Sequence, residues 1–222
     1  NFIAGLQKYF AKHAFKNTTL DDLLLELSAT SGRDLKPWVS TWLQTAGVNT
    51  LRPKLEISDN KYSKIEISQE APLVPAGSKE LRPHRLAVGL YDVKGTDVVL
   101  RKSVELDVAG ALTEVKELAG EKVADLLLLN DRDLSYGKIR FDDRSIATLK
   151  SHLGKLDDGL ARALCWSAAW DMLRDAEISA TDFVEIAIAG MPGESDITIV
   201  TMLIAQLSTA VELYASEKNR DG

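Results

Sequence analysis

The sequence predicts an α+β protein of several units: a short helical segment, an immunoglobulin-like antiparallel β-sandwich, and an α-helical, solenoid-like domain. Hydrophobic spacing is helical up to about Gly47, alternates like strands from about Leu51 to Phe141, and is helical again from about Asp142 to Tyr214. A chain of 222 residues holds one large domain or two small ones. Helices, then strands, then helices describe units in series, not an interwound sheet, with boundaries at residues 1–50, 51–142 and 143–222.

Three helices are expected in the first unit. Leu6, Tyr9, Phe10 and His13 share one face of the first. Thr19, with Asp22 three residues later, forms a capping box for the second, and Gly32 suits the left-handed position that ends it. Asp34 can cap the third, Pro37 fits its first turn, Trp38 and Trp42 stack one turn apart, and Gly47 closes it.

In the middle unit Leu55 and Ile57 alternate with polar neighbours, Asp59-Asn60 turns the chain, and Tyr62–Ile67 returns as the second arm of a hairpin. Pro72, Pro75 and Gly77 mark a loop. Leu86, Val88 and Leu90 begin the next hairpin, which turns at Gly95 and returns through Leu100, Val104 and Leu106. Asp125–Leu129 and Tyr136–Phe141 complete a count of about seven strands.

In the last unit, Ser145–His152 is a helix ending at Gly154, Asp157 caps the next, and Ser179 with Asp182 boxes a third that stops at Gly190-Met191-Pro192. Ile197, Val200, Ile204, Leu207, Val211 and Tyr214 read as a core-facing stripe on the final helix.

Composition narrows the function classes. Lys+Arg is 27 and Asp+Glu 33, giving −6, and there is no basic run, so nucleic acid is a poor partner. The longest unbroken apolar run, Leu126–Leu129, is far short of a membrane span. The single cysteine, Cys165, forms no internal disulfide and fits a reducing compartment such as the cytoplasm. The chain opens in mid-pattern at Asn1 and stops soon after a long helix; both ends read as cuts in a longer polypeptide, with no signal peptide at the first.

No catalytic constellation emerges. His13, His84 and His152 lie in separate segments without metal-ligand spacing and read as surface or helix-face residues. Cys165, between Leu164 and Trp166, reads as a buried, inert thiol. The acidic pairs Asp21-Asp22, Asp142-Asp143 and Asp157-Asp158 all sit at helix starts, where capping accounts for them. The tryptophan pairs Trp38/Trp42 and Trp166/Trp170 read as packing between helices. Arg162, Arg174 and the Asp171/Asp175 pair look like one ion-pair face; an exposed arginine there could meet a peptide carboxylate.

Two longer stretches resemble the zinc aminopeptidase N family of gluzincin metallopeptidases, in its actinobacterial form. The first runs from Gly5-Leu6-Gln7-Lys8-Tyr9 through Asn17, Asp22-Leu23 and Ser31-Gly32-Arg33-Asp34-Leu35 to Trp42-Leu43-Gln44-Thr45-Ala46-Gly47, and is similar to the helical end of the family's catalytic domain. The second runs from Asn130 through Tyr136-Gly137-Lys138-Ile139-Arg140-Phe141-Asp142 and resembles the close of its β-sandwich; Arg162-Ala163-Leu164-Cys165-Trp166 through Trp170-Asp171 resembles its helical domain. Ser135, Gly137 and Lys138 depart from the family's glycine, second tyrosine and arginine. The resemblance implies a full-length enzyme that uses zinc to remove N-terminal residues from peptides, with its His-Glu-x-x-His and Gly-Ala-Met-Glu-Asn motifs upstream of Asn1. It carries no catalytic or zinc-binding residue onto this chain. The chain's partners would be that upstream catalytic domain and, through it, the peptide, with Arg162 and Arg174 as candidate peptide contacts. The fragment alone is expected to be inactive and zinc-free. The alternative is a non-enzymatic β-sandwich and helical module that binds a protein partner.

Overall fold

A computed structural model describes residues 1–76 and 78–217. The expected loop glycine Gly77 lies outside the described residues.

The helical opening has three members: α1 (Phe2–His13), α2 (Leu20–Ser31) and α3 (Lys36–Trp42). Thr19 and Asp22 form the expected capping box on α2, Gly32 ends it at φ 69°, and Pro37 sits in the first turn of α3. Helix α3 stops at Trp42, five residues before Gly47; its Leu35 N-cap is preceded by Asp34, whose carboxylate accepts from the Lys36 N–H at 3.0 Å. Gly47 serves a different need, since a Cβ there would lie 2.6 Å from Pro72. Gly5 lets α1 approach α2, because a Cβ would meet Leu27 and Thr30 at 2.7 Å.

Seven strands follow: β1 (Thr50–Ser58), β2 (Lys61–Glu70), β3 (His84–Lys94), β4 (Asp97–Val108), β5 (Leu112–Glu114), β6 (Leu126–Leu129) and β7 (Lys138–Ile139). They form two sheets, β5-β2-β1-β7 and β4-β3-β6. Asp59 and Asn60, at φ 51° and 58°, make the tight turn of the first hairpin, where the short Asx side chains tolerate left-handed backbone. One pairing departs from the antiparallel expectation: β1 and β7 run parallel over two residue pairs. Inward residues of both sheets, among them Ile65, Ile67, Leu86 and Val88, share one hydrophobic core.

The four leucines of β6 are all buried. A strand alternates its side chains, so burial throughout means that both faces are covered. The second cover is α4 (Asp143–His152), which the Asp142 carboxylate caps and whose Ser145 Oγ accepts from the Leu127 N–H at 2.9 Å. Next comes α5 (Gly159–Arg174), capped by Asp158, one residue later than the sequence suggested; Asp158 is the residue whose carboxylate reaches the Leu160 N–H. Then come α6 (Ala180–Gly190), with the expected Ser179/Asp182 box, and α7 (Ile197–Thr209), which passes into a π-helical turn at Ala210–Tyr214.

The sandwich and these four helices share one continuous core from Leu51 to Ala210, to which α1–α3 contribute nothing. Trp166 is fully buried at its centre, and Gly190 is shaped to it, since a Cβ there would lie 2.4 Å from the indole.

The stripe expected on α7 is not its core face. Leu203 and Ala210 are the fully buried residues, while Ile197 and Ile204 are 75% and 54% exposed. The helix is apolar nearly all round, so spacing alone did not select a face. The same property corrects the run-length argument on membranes. Ile197–Tyr214 is one helix of 18 residues with mean hydropathy 1.5, long and apolar enough to span by length and composition alone. Thr, Ser and Gln interrupt the apolar run without lowering its average.

Candidate functional site

Where the sandwich meets the helical unit, three cations face two carboxylates. Arg140 follows β7 and is 2% exposed at its side chain; its Nε donates to Glu177 at 2.5 Å and its Nη2 to Asp175. Arg52 of β1 donates to the same Glu177 at 2.7 Å, and Lys138 to Asp175 at 2.8 Å. The turn between α5 and α6 presents both carboxylates, with Ala176 left-handed at φ 60° between them. Burial opposes ionisation at both, yet bonds from Arg52 and Arg140 hold Glu177, and bonds from Lys138 and Arg140 hold Asp175, below the usual carboxylate range. Over this network lies a recess of about 670 Å³, walled on its other side by Glu70 and the loop from Ala71 to Val74.

Gly47 and Val48 also line a second recess, of about 280 Å³, with Trp42, Thr45, Asn49, Arg82 and Tyr136. Arg82 is 3% exposed. Its Nε donates to Thr41 O at 2.9 Å, Nη1 to Asn49 Oδ1 at 2.9 Å, and Nη2 to Thr45 Oγ1 at 2.6 Å. The guanidinium lies 5.6 Å from the Trp42 ring centre. Beside it, His84 accepts or donates to Ser135 Oγ at 2.6 Å and Gln69 Oε1 at 3.1 Å and meets Trp42 edge-on. Burial, with Arg82 adding to it, pushes the His84 imidazole down to about 4, so it is neutral at pH 7. His84 is therefore a core residue at 3% exposure, not the surface residue its isolation in the sequence suggested. No pattern marks Arg82 as buried: it stands between Leu81 and Pro83 in a segment with no strand alternation.

Arg162 and Arg174 come apart in the structure. Arg162 donates to Leu156 O at 2.6 Å, to Asp157 O at 2.9 Å and to the buried Glu194 at 3.2 Å, which also accepts from the Trp166 indole. Its guanidinium is thus committed to closing the helical unit. Arg174 is exposed at the end of α5. The ion-pair face expected on one helix does not form, because Asp175 turns to β7 instead. Trp38 and Trp42 do stack, at 6.3 Å, whereas Trp170 packs on Phe183 and Tyr214.

Cys165 is fully buried and burial pushes its thiol up, away from nucleophilic character. Near it Tyr91 donates to the buried Asp131, and burial raises both groups. Gly89 makes room, since a Cβ there would lie 2.7 Å from the Asp131 carboxyl carbon. Among the described residues no three His, Cys, Asp or Glu side chains gather as a metal site.

Residues 126–222 match the model of the ERAP1-like C-terminal domain. The chain is 48% identical to aminopeptidase N of Streptomyces lividans over 99% of its own length and 26% of that protein. The chain resembles part of an aminopeptidase N. Aminopeptidase N of Lactococcus lactis subsp. lactis is 24% identical over 98% of the chain and 24% of its own length, and aminopeptidase M1 of Arabidopsis thaliana is 27% identical over 73% and 17%. The aminopeptidase N resemblance read from the sequence is thereby borne out, and the chain spans about a quarter of the two relatives that match it throughout.

Proposed function

We propose that this chain is the non-catalytic C-terminal portion of a zinc-dependent aminopeptidase that removes N-terminal residues from peptides in the cytoplasm. The 48% identity along the whole chain carries the reading. Zinc in the full enzyme would polarise the peptide carbonyl and activate water. The donor set in this chain does not suit that metal, because the three histidines stand apart and no acidic group joins any of them into a cluster among the described residues.

What the chain would supply is a frame. The sandwich and α4–α7 form one core, and the Arg140 network ties the end of β7 to the turn between α5 and α6. Helices α1–α3 leave Phe2, Ile3, Phe10, Leu25 and Trp38 exposed, apolar surface available for packing against the catalytic domain. Arg174, exposed at the end of α5, remains the candidate contact for a peptide, whereas Arg162 is committed internally.

The test compares the isolated chain with the full-length protein on an aminoacyl p-nitroanilide, with zinc measured in both. The expected result is hydrolysis and bound zinc only in the full-length protein. Turnover by the isolated chain, or an inactive and zinc-free full-length protein, overturns the reading.

A further inference from the structure

We infer that the recess beside Arg82 is a carboxylate-binding site, taking the carboxylate of an amino acid or short peptide. Arg82 carries a full positive charge at 3% exposure, yet all its partners among the described residues are neutral: the carbonyls of Thr41 and Ala46, the Asn49 amide oxygen and the Thr45 hydroxyl. Buried charges are ordinarily paired, and Arg140 in this same molecule meets two carboxylates. Nη1 of Arg82 makes a single bond, to Asn49, so its second N–H has no acceptor. Trp42, in the same wall, also holds a buried indole N–H without an acceptor.

Arg82, with no counter-charge among its described partners, thus lines a recess of about 280 Å³, a volume suited to one amino-acid unit. A carboxylate supplies the missing negative charge, with a charge-assisted bond to Arg82. Neutral His84 adds no competing charge, and Tyr136, 73% exposed at the rim, gives an apolar surface for the rest of the ligand.

The test follows the Trp42 indole ¹⁵N–¹H resonance in the whole chain, one of four such signals, assigned by its loss in Trp42→Phe. N-acetyl-leucine is expected to shift it saturably, and N-acetyl-leucine amide, which lacks the carboxylate, is not. N-acetyl-glutamate α-amide distinguishes the source: if it alone acts, the site takes an acidic side chain; if N-acetyl-leucine acts, the site takes a chain terminus. By calorimetry, Arg82→Lys, which keeps the charge and loses the guanidinium fork, should weaken binding of N-acetyl-leucine about 10-fold. No shift with either carboxylate, an equal shift with the neutral amide, or an equal shift with sulfate overturns the proposal.

Discussion

The two helical regions of this molecule look alike in sequence and behave differently in space. Both carry capping boxes, Thr19/Asp22 and Ser179/Asp182, and both have glycines where helices touch. Yet α1 and α2 bury only Gly5 and Leu24, whereas α5 alone buries seven residues, including Trp166. Local signals write a helix; the surface it meets decides what that helix contributes. Helix α4 closes over the outer face of β6 and α4–α7 join the sandwich core, while α1 and α2 pack on each other and α3 reaches the rest through the Trp42, Arg82 and His84 contacts.

Substitutions sharpen that contrast. The largest effect is expected at Arg140. Replacing it with methionine removes the cation that Asp175 and Glu177 share and leaves both beside Lys138 and Arg52 alone, which should cost about 3 kcal/mol of global stability in a denaturant titration. The equivalent loss in the other region, Lys12→Ala at its exposed pair with Glu26, should stay below about 0.5 kcal/mol.

Next come two glycines in parallel. Gly190→Ala forces a methyl into the Trp166 ring and should lower global stability by about 2 kcal/mol. Gly5→Ala meets Leu27 and Thr30 just as closely, but should separate α1 from α2 and leave the main unfolding transition in place. Circular dichroism melts of the two variants distinguish a shared core from an appended hairpin.

A smaller effect comes from acid at the junction. The unfolded chain protonates His84 near 6.5, while the folded chain resists until about 4. A group held neutral in this way binds fewer protons when folded, so its stabilising contribution is whole above pH 6.5 and is lost as pH falls toward 4. Melting temperature should fall across that window, and His84→Gln, which cannot charge, should flatten the fall.

Much of the fold was legible because it rests on local signals. The hairpin turns at Asp59-Asn60 and Gly95, the cap at Asp142 and both capping boxes stand where residue chemistry puts them. The four-leucine run was readable as a strand, and its meaning, a strand covered on both faces, appeared only when α4 was seen against it. The face of α7 was not legible, because apolar residues surround that helix and only its neighbours distinguish Leu203 from Ile204. The candidate sites were least legible of all. Arg140 lies between Ile139 and Phe141 and reads as the solvent side of a strand; its burial comes from a turn 35 residues later. Arg82 and His84 flank a proline outside any pattern, and their environment is assembled by segments far off in the chain, such as Thr41 for Arg82 and Ser135 for His84. Long-range contacts of that kind leave no periodicity to read.

Native-state hydrogen exchange on the whole chain tests the central claim most directly, that residues 50–217 form one cooperative core to which α1–α3 are attached. The account predicts that amides in β2, β3, β6, α5 and α6 exchange only through global unfolding, while those of α1–α3 exchange through an opening of much lower free energy that denaturant barely affects. Protection in α1–α3 equal to that in β3 and α5 would contradict it.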